Sequence, residues 1–208
     1  MYLFLLILLP ASLFIYYNTI GEKKCITLTF AGFITAIVVC GIRFLFFFSH
    51  RIVPHSFIIN ALFYFTRLVF IPLILYALFV LISKDTAEFK IKSFFPLVAA
   101  FNAVYLPYYF LTMSVSVYSN YDLFFRPIIY LAFLIGTSIA LQKIYESHLA
   151  QNKKQKILYI IMAVVYMFVP SLVDTSYVTN LVFPVFATLA IIYIAFPLVL
   201  LFLRKKIA

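Results

Sequence analysis

The chain has little charge and only two cysteines. Charged residues make up 11% of its 208 residues, hydrophobic residues make up 66%, and the mean hydropathy is +1.14. Soluble domains carry about 25% charged residues, so a water-soluble fold is excluded. The cysteines, Cys25 and Cys40, stand about 22 Å apart along one predicted helix and cannot form a disulfide bond with each other.

Acidic residues and glycines are also scarce. None of the six acidic residues lies within a long apolar run, so the acidic relay of many proton-driven transporters is not predicted. Only four glycines occur, and no phosphate-binding glycine loop, nucleophile elbow or metalloprotease helix is present. No small-xxx-small spacing recurs, so we expect helix packing through large side chains. We predict neither a catalytic residue nor a cofactor.

Seven long apolar runs dominate the sequence. A bilayer core about 30 Å thick needs roughly 20 apolar residues for each helix, and continuous runs of this kind differ from the alternating pattern of barrel strands. The predicted spans are residues 2–20, 26–48, 56–82, 94–117, 128–145, 158–173 and 181–203, of which the sixth is short. The sequence therefore predicts an all-α polytopic membrane helix bundle, a single transmembrane domain over residues 1–208 without a soluble domain.

The distribution of lysine predicts how the helices are oriented. Lysines fill the connections after the first, third and fifth runs and the carboxyl-terminal tail, whereas each remaining connection holds at most one arginine. Because basic residues accumulate in cytoplasmic loops, we predict an external amino terminus and a cytoplasmic carboxyl terminus. The net charge of +10 is explained in this way, and no nucleic acid partner is expected.

Outside the lysine-rich loops, the four remaining basic residues are all arginines: Arg43, Arg51, Arg67 and Arg126. The planar guanidinium group suits bidentate recognition of carboxylate or phosphate. Arg67 lies about 16 Å into the third span, where an arginine costs roughly 2.5 to 3.5 kcal/mol, so we expect it to face the bundle interior. Arg43 lies near a helix end and can snorkel, and Arg126 precedes a proline at a helix start.

The sequence offers Arg67 polar partners but no acidic residue at its depth. Asn60 and Tyr64 lie on the same span, and Asn102 and Tyr105 lie on the fourth. Two interpretations stay open: these groups solvate a structural arginine, or an anionic ligand supplies the missing charge. The candidate ligand-binding residues are Arg43, Arg67, Asn102, Tyr105 and Arg126.

A metal site is a weaker possibility. His50 and His55 flank a short loop, and a metal site would combine them with Asp122 or Asp174. Their spacing matches no ligand motif, so we predict neutral interfacial histidines and no metal. The two aspartates are expected to form ordinary interfacial ion pairs with arginines.

The third run has a charged-then-proline pattern carried by Tyr64, Arg67, Leu68 and Pro72, with Ser83–Lys84 at its exit. With the predicted topology, this pattern resembles the amino-terminal seven-helix membrane modules of bacterial sensor kinases and related receptors. The likeness in topology covers the whole chain, whereas the likeness in sequence covers only these few residues. It implies a sensor in a bacterial inner (plasma) membrane. Because no kinase, cyclase or coiled coil follows the last run, we expect another protein to read the signal.

Three functions follow from these patterns. The first is a membrane sensor or binding module for an anionic small molecule or lipid, with a membrane or cytoplasmic protein as partner. The second is a transport component, either a small permease or a transporter subunit, for an anionic solute. The third is a lipid-modifying enzyme with His50 or His55 as base. In every case the lipid bilayer is a partner, and the lysine loops are expected to meet anionic headgroups.

Overall fold

A computed structural model describes residues 22–46, 56–113 and 125–179, and the regular elements in this part of the chain are all helical. Five helices are long and apolar enough to cross a membrane: Ile26–Leu45, Phe57–Ile82, Ala87–Tyr109, Arg126–Leu149 and Lys153–Tyr177. The prediction of an all-helical, multi-pass membrane protein is confirmed at this level. The predicted runs 2–20 and 181–203 lie outside the described residues, so the count of seven and the orientation stay predictions.

The described chain contains seven α-helices and one π-helical segment. In chain order they are α1 (Glu22–Phe46), α2 (Phe57–Tyr64), the π segment (Phe65–Phe70), α3 (Ile71–Ile82), α4 (Ala87–Lys92), α5 (Phe94–Met113), α6 (Arg126–Leu149) and α7 (Lys153–Thr179). Helices follow from the apolar runs because backbone groups in lipid must find their hydrogen-bond partners within the protein.

The helices form two compact units, which are described separately. Unit one contains α1, α3, α4 and α5, together with Phe70, Arg126 and Pro127. Unit two contains α2, the π segment up to Val69, α6 from Ile128 onward, and α7. Within unit one α1 packs on α5, and within unit two α2 packs on α7.

In unit one, α1 runs in the same direction as the span formed by α4 and α5. Each contact joins an α1 residue to one that stands 65 or 66 positions later: Lys24 lies over the ring of Phe89, Gly32 meets the carbonyl of Leu97, and Arg43 lies over the ring of Tyr109. The constant offset shows which residues stand at equal height along the pair. In the predicted topology, successive spans cross the membrane in opposite directions, so the second and fourth spans are expected to be parallel as well.

Small residues form the face of α1 that meets α5. Gly32, Ala36 and Cys40 are spaced four residues apart and are all buried. A Cβ atom on Gly32 would overlap the carbonyl oxygen of Leu97 and lie 3.1 Å from the Cβ of Ala100. The expectation that no small-xxx-small seam exists is therefore wrong, because alanine and cysteine complete a pattern that begins with one glycine.

In unit two, α6 and α7 form an antiparallel pair. Midway along both helices, Gly136 lies against the ring of Tyr166. Near the start of α6 and the end of α7, the Tyr130 hydroxyl donates a 2.9 Å hydrogen bond to Oδ2 of Asp174. The buried small residues of α6 again follow a four-residue spacing, at Ala132, Gly136 and Ala140. In unit two, the missing side chain of Gly136 thus leaves room for the ring of Tyr166.

The turn between α6 and α7 has a Schellman pattern. The N–H of Gln151 donates to the carbonyl of His148 at 3.1 Å, and the N–H of Asn152 donates to the carbonyl of Ser147 at 3.0 Å. The Asn152 side-chain oxygen then accepts from the N–H of Gln155 and caps α7. Gln151 has a φ of 54°, in the left-handed region where glycine is usual. The turn therefore contains a conformational cost that glycine would relieve.

The predicted sixth span, 158–173, is shorter than the helix that contains it. α7 extends over 27 residues, which is ample for a membrane crossing. Its last third is rich in buried hydroxyl residues that donate hydrogen bonds to carbonyls of their own helix: Ser171, Thr175 and Ser176. These polar residues lower the local hydropathy, so the predicted span ended before the helix does. Asp174 consequently lies inside α7 rather than in a loop.

The third apolar run contains the π segment immediately before Pro72. Proline cannot donate a hydrogen bond to the carbonyl of Leu68, and its ring would clash with a regular α-turn at that point. The wider π turn accommodates this interruption. Arg67 stands within the segment. Single π turns are frequent at functional sites, so this geometry adds to the interest of Arg67.

Candidate functional site

Arg43 lies in the last turn of α1 and is directed into unit one. The residue is 8% exposed, and its guanidinium carbon lies 4.0 Å from the centroid of the Tyr109 ring. The Nη1 atom is buried and has no hydrogen-bond partner among the residues that the structure describes. The predicted snorkelling of Arg43 is therefore wrong, because contact with Tyr109 holds the guanidinium group against α5.

The contacts of Arg43 offset only part of the cost of burying its charge. The contact with Tyr109 is worth about 0.5 to 2 kcal/mol, and the carboxyl-terminal dipole of α1 adds about 0.3 to 1 kcal/mol. The desolvation penalty of a buried ion is several kcal/mol. In the described ranges Arg43 forms no salt bridge. An anion at Nη1 would supply the missing interaction.

Tyr109 is the last of three stacked or tilted rings along α5. The ring centroids of Phe101 and Tyr105 are 5.0 Å apart, and those of Tyr105 and Tyr109 are 6.1 Å apart. All three side chains are fully buried. Tyr105, which was predicted as a site residue, thus lies next to the ring that holds Arg43. The three rings therefore lie side by side along α5, and the guanidinium group of Arg43 lies over the last of them, Tyr109.

Asn102 is the second buried polar group on this helix pair. It is 0% exposed, and neither Nδ2 nor Oδ1 has a hydrogen-bond partner within the described part of the chain. The register places Ala36, which has no polar side-chain atom, at the same height on α1. Asn102 is one of the polar groups that the sequence offers to Arg67 and one of the candidate ligand-binding residues. An unsatisfied buried polar group costs about 1 to 3 kcal/mol, so burying the Asn102 amide without a partner destabilises unit one.

These groups share one face of the helix pair. Asn102, Tyr105 and Tyr109 occupy positions i, i+3 and i+7 of α5, and seven residues of helix rise about 10 Å. Arg43 therefore stands about two turns from the Asn102 amide. We call this surface the α1–α5 strip, and its residues are Ala36, Cys40, Arg43, Asn102, Tyr105 and Tyr109.

The remaining predicted arginines are not part of the strip as described. Arg126 is the first residue of α6 and is 4% exposed, and Pro127 follows at a position that favours a helix start. Arg67 belongs to unit two, where it is half-buried with its guanidinium carbon 4.9 Å from the ring centroid of Phe63. Within the described structure, the strip therefore brings together three of the predicted site residues.

Sequence reasoning missed two residues of interest. Tyr109 was not singled out, although it stands four residues after Tyr105, on the face that Asn102 defines. Asp174 was expected at the membrane interface, whereas it is 1% exposed inside the apolar span Lys153–Tyr177 and accepts a hydrogen bond from Tyr130. The expectation that no acidic residue lies inside a span is therefore wrong.

Other candidate chemistry is limited in the described ranges. No group of three or more His, Cys, Asp or Glu residues there could hold a metal ion. His50, His55 and Asp122, considered for a metal site or as bases, lie outside the described residues. Comparison with protein-family models, curated proteins and solved structures found no match for the chain.

Proposed function

We propose that this protein is an integral membrane binding module for an anionic ligand, acting as a sensor together with a partner protein. The observation that carries the proposal is the buried guanidinium of Arg43, whose Nη1 has no hydrogen-bond partner among the described residues. A guanidinium in this position selects anions by charge and by the planar arrangement of its donors. The resemblance to sensor-kinase membrane modules supports the same assignment and a bacterial plasma membrane.

Ligand binding would act on the packing of α1 against α5. Arg43 is eleven residues, or about 16 Å along the helix, from Gly32, where the backbone of α1 lies close to the carbonyl of Leu97. An anion changes this packing only as far as it binds one arrangement more tightly than another. The far end of unit one is rich in lysine, and there a partner protein would detect the change: Lys24, Lys84, Lys90 and Lys92.

The test is to identify what the protein retains when it is purified gently. Native mass spectrometry would be applied to the wild type, to Arg43→Gln and to Arg67→Gln, which removes a membrane arginine outside the strip. We expect the wild type and Arg67→Gln to retain an anionic molecule that Arg43→Gln loses. A partner protein that co-purifies with all three would identify the reader of the signal.

Two outcomes would contradict the proposal. Retention of the same molecule by Arg43→Gln would show that Arg43 does not hold it. If the wild type retains no anion and tested anions do not raise its melting temperature, Arg43 is a structural residue whose polar atoms are satisfied by water.

A transport component is the second candidate, because the third apolar run is interrupted. The π segment holds Arg67 within that run, just before Pro72, and interrupted helices form substrate sites in many transporters. Asp174 also provides an acidic group inside a span. Anion flux into proteoliposomes that is lost in Arg67→Gln would favour transport. Absence of flux for every tested anion, with or without co-purified subunits, would exclude it.

A further inference from the structure

The first turn of α7 concentrates lysines that the protein does not neutralise. Lys153, Lys154 and Lys156 all stand in this turn, and none of them forms an ion pair among the described residues. We call these three residues the α7 lysines. We infer that they form a docking surface for the headgroups of anionic phospholipids. The inference is independent of Arg43 and of the side of the membrane on which the α6–α7 turn lies.

The structure distinguishes this end of the protein from the lysine-rich end of unit one. In unit one, Asp85 and Glu88 stand among the lysines, and Glu88 forms an ion pair with Lys92. In unit two, Glu146 is the only acidic residue of the sequence between positions 123 and 173, and it pairs with Lys143 on α6. The charge of the α7 lysines is therefore left for a partner outside the chain.

The α7 lysines stand where positive charge is unfavourable for the helix itself. The amino-terminal end of a helix carries a partial positive charge, which acidic side chains stabilise and lysines do not. The first turn of α7 contains no acidic residue. Lys153 and Lys156 are also three residues apart, a spacing at which like charges repel each other. A bound anionic surface would relieve both repulsions, so its binding would stabilise this end of α7.

Exposed apolar side chains continue from the lysines along α7. Lys153, Ile157 and Ile161 are spaced four residues apart and share one face of the helix. Ile157 is 59% exposed and Ile161 is 56% exposed. Because the Cα–Cβ bonds of a helix tilt toward its amino-terminal end, lysines of the first turn project away from these apolar residues. A phospholipid matches this order, with an acyl chain beside the isoleucines and the phosphate beside the lysines.

Tyrosines near the turn indicate the depth of the α7 lysines in the membrane. Tyr145 stands one turn before the end of α6, Tyr159 stands less than two turns into α7, and both are half-buried. Tyrosine is enriched where the apolar core of a membrane meets the headgroups. Leu149, the last residue of α6, is 65% exposed. An apolar, tyrosine-bearing surface next to the lysines favours a lipid headgroup over a soluble acidic protein as their partner.

The experiment measures lipid binding to the full chain in detergent by native mass spectrometry. The probes are dioleoylphosphatidylglycerol, which is anionic, and dioleoylphosphatidylcholine, which has the same acyl chains and no net charge. The test variant, Lys153→Gln/Lys154→Gln, removes two of the α7 lysines. The matched control, Lys84→Gln/Lys90→Gln, removes two lysines of unit one that also form no ion pair in the part of the chain that the structure describes. A third variant, Lys153→Arg/Lys154→Arg, keeps the charge of the turn.

We expect the wild type to bind phosphatidylglycerol more tightly than phosphatidylcholine. Each lysine near an anionic headgroup contributes about fivefold in affinity, so Lys153→Gln/Lys154→Gln should bind phosphatidylglycerol roughly 20-fold more weakly. The arginine variant should bind it as the wild type does. The unit-one control should lose far less affinity, because Asp85 and Glu88 already offset the charge there. Binding of phosphatidylcholine should be the same in all four proteins.

Three results would overturn the inference. Equal losses in the two glutamine variants would show that total charge, and not the position of the α7 lysines, determines lipid binding. An unchanged preference for phosphatidylglycerol in Lys153→Gln/Lys154→Gln would show that the α7 lysines are only hydrated. Loss of a co-purifying acidic protein from that variant, with the lipid preference retained, would identify a protein-docking surface instead. None of these results bears on the anion proposed at Arg43, which the comparison with Arg43→Gln tests separately.

Discussion

Two glycines of α1 offer a direct test of how unit one is packed. A Cβ atom on Gly32 would overlap the backbone carbonyl oxygen of Leu97, whereas a Cβ atom on Gly41 would meet no atom within 4 Å. Both residues lie in the same helix, so the gain in helix propensity on replacement by alanine is the same, about 0.5 to 1 kcal/mol. The two variants therefore differ only in what the added methyl group meets.

The expected stabilities have opposite signs. At Gly32 the methyl group must push two backbones apart, and overpacking of this kind costs about 1 to 3 kcal/mol, which outweighs the gain in propensity. For a chain of 208 residues, 1 kcal/mol corresponds to about 2 to 4 °C in melting temperature. We expect Gly32→Ala to lower the melting temperature by roughly 2 to 6 °C and Gly41→Ala to raise it by roughly 1 to 4 °C.

The assay is thermal unfolding of both purified variants in one detergent. A stabilising effect of Gly32→Ala comparable to that of Gly41→Ala would refute the close approach of α1 and α5. It would also remove the register on which the α1–α5 strip depends. A loss of stability in both variants would instead indicate that Gly41 faces a partner helix.

Three further substitutions test other features of the described structure, each by thermal unfolding in the absence of ligand. Asn102→Leu should raise stability by about 1 to 3 kcal/mol, because it removes two buried polar atoms without partners, and a loss of stability would show that water or protein satisfies the amide. Gln151→Gly should raise it by about 1 kcal/mol by relieving the left-handed backbone, and no gain would contradict the Schellman turn. Tyr130→Phe should lower it by about 1 to 3 kcal/mol through loss of the hydrogen bond to Asp174, and an unchanged melting temperature would mean that this bond is not formed.

The parts of the fold that the sequence predicted are those set by local composition. A run of about 20 apolar residues requires a helix in lipid, and this requirement does not depend on which helices are neighbours. Proline is equally local, since Pro72 removes a hydrogen bond of its own helix whichever helices are neighbours. The end of α7 was missed because Ser171 and Thr175 are polar by composition yet satisfy their hydroxyls on their own helix.

The parts that were missed depend on tertiary contacts. Arg43 stands three residues before the end of α1, and from that position alone an interfacial guanidinium is the natural expectation. Its burial follows from a tyrosine 66 positions later in the chain, which no periodicity within α1 reveals. The face of small residues on α1 was missed for a similar reason, since Ala36 and Cys40 can be recognised as packing residues only when α5 is known to lie against them.

The division of basic residues between lysine and arginine gains physical meaning from these positions. Lysine stands at exposed helix ends such as Lys24, whose side chain is 65% exposed and stays hydrated as a point charge. Arg43 is buried against an aromatic ring, where a weakly hydrated planar group loses less on leaving water than an ammonium group does. Yet stability alone would favour a leucine at Asn102 and an apolar residue at Arg43, since neither the amide nor Nη1 has a partner in the described structure. The anion that we propose at Arg43 would offset part of this cost, whereas Asn102 would still be buried without a partner among the described residues.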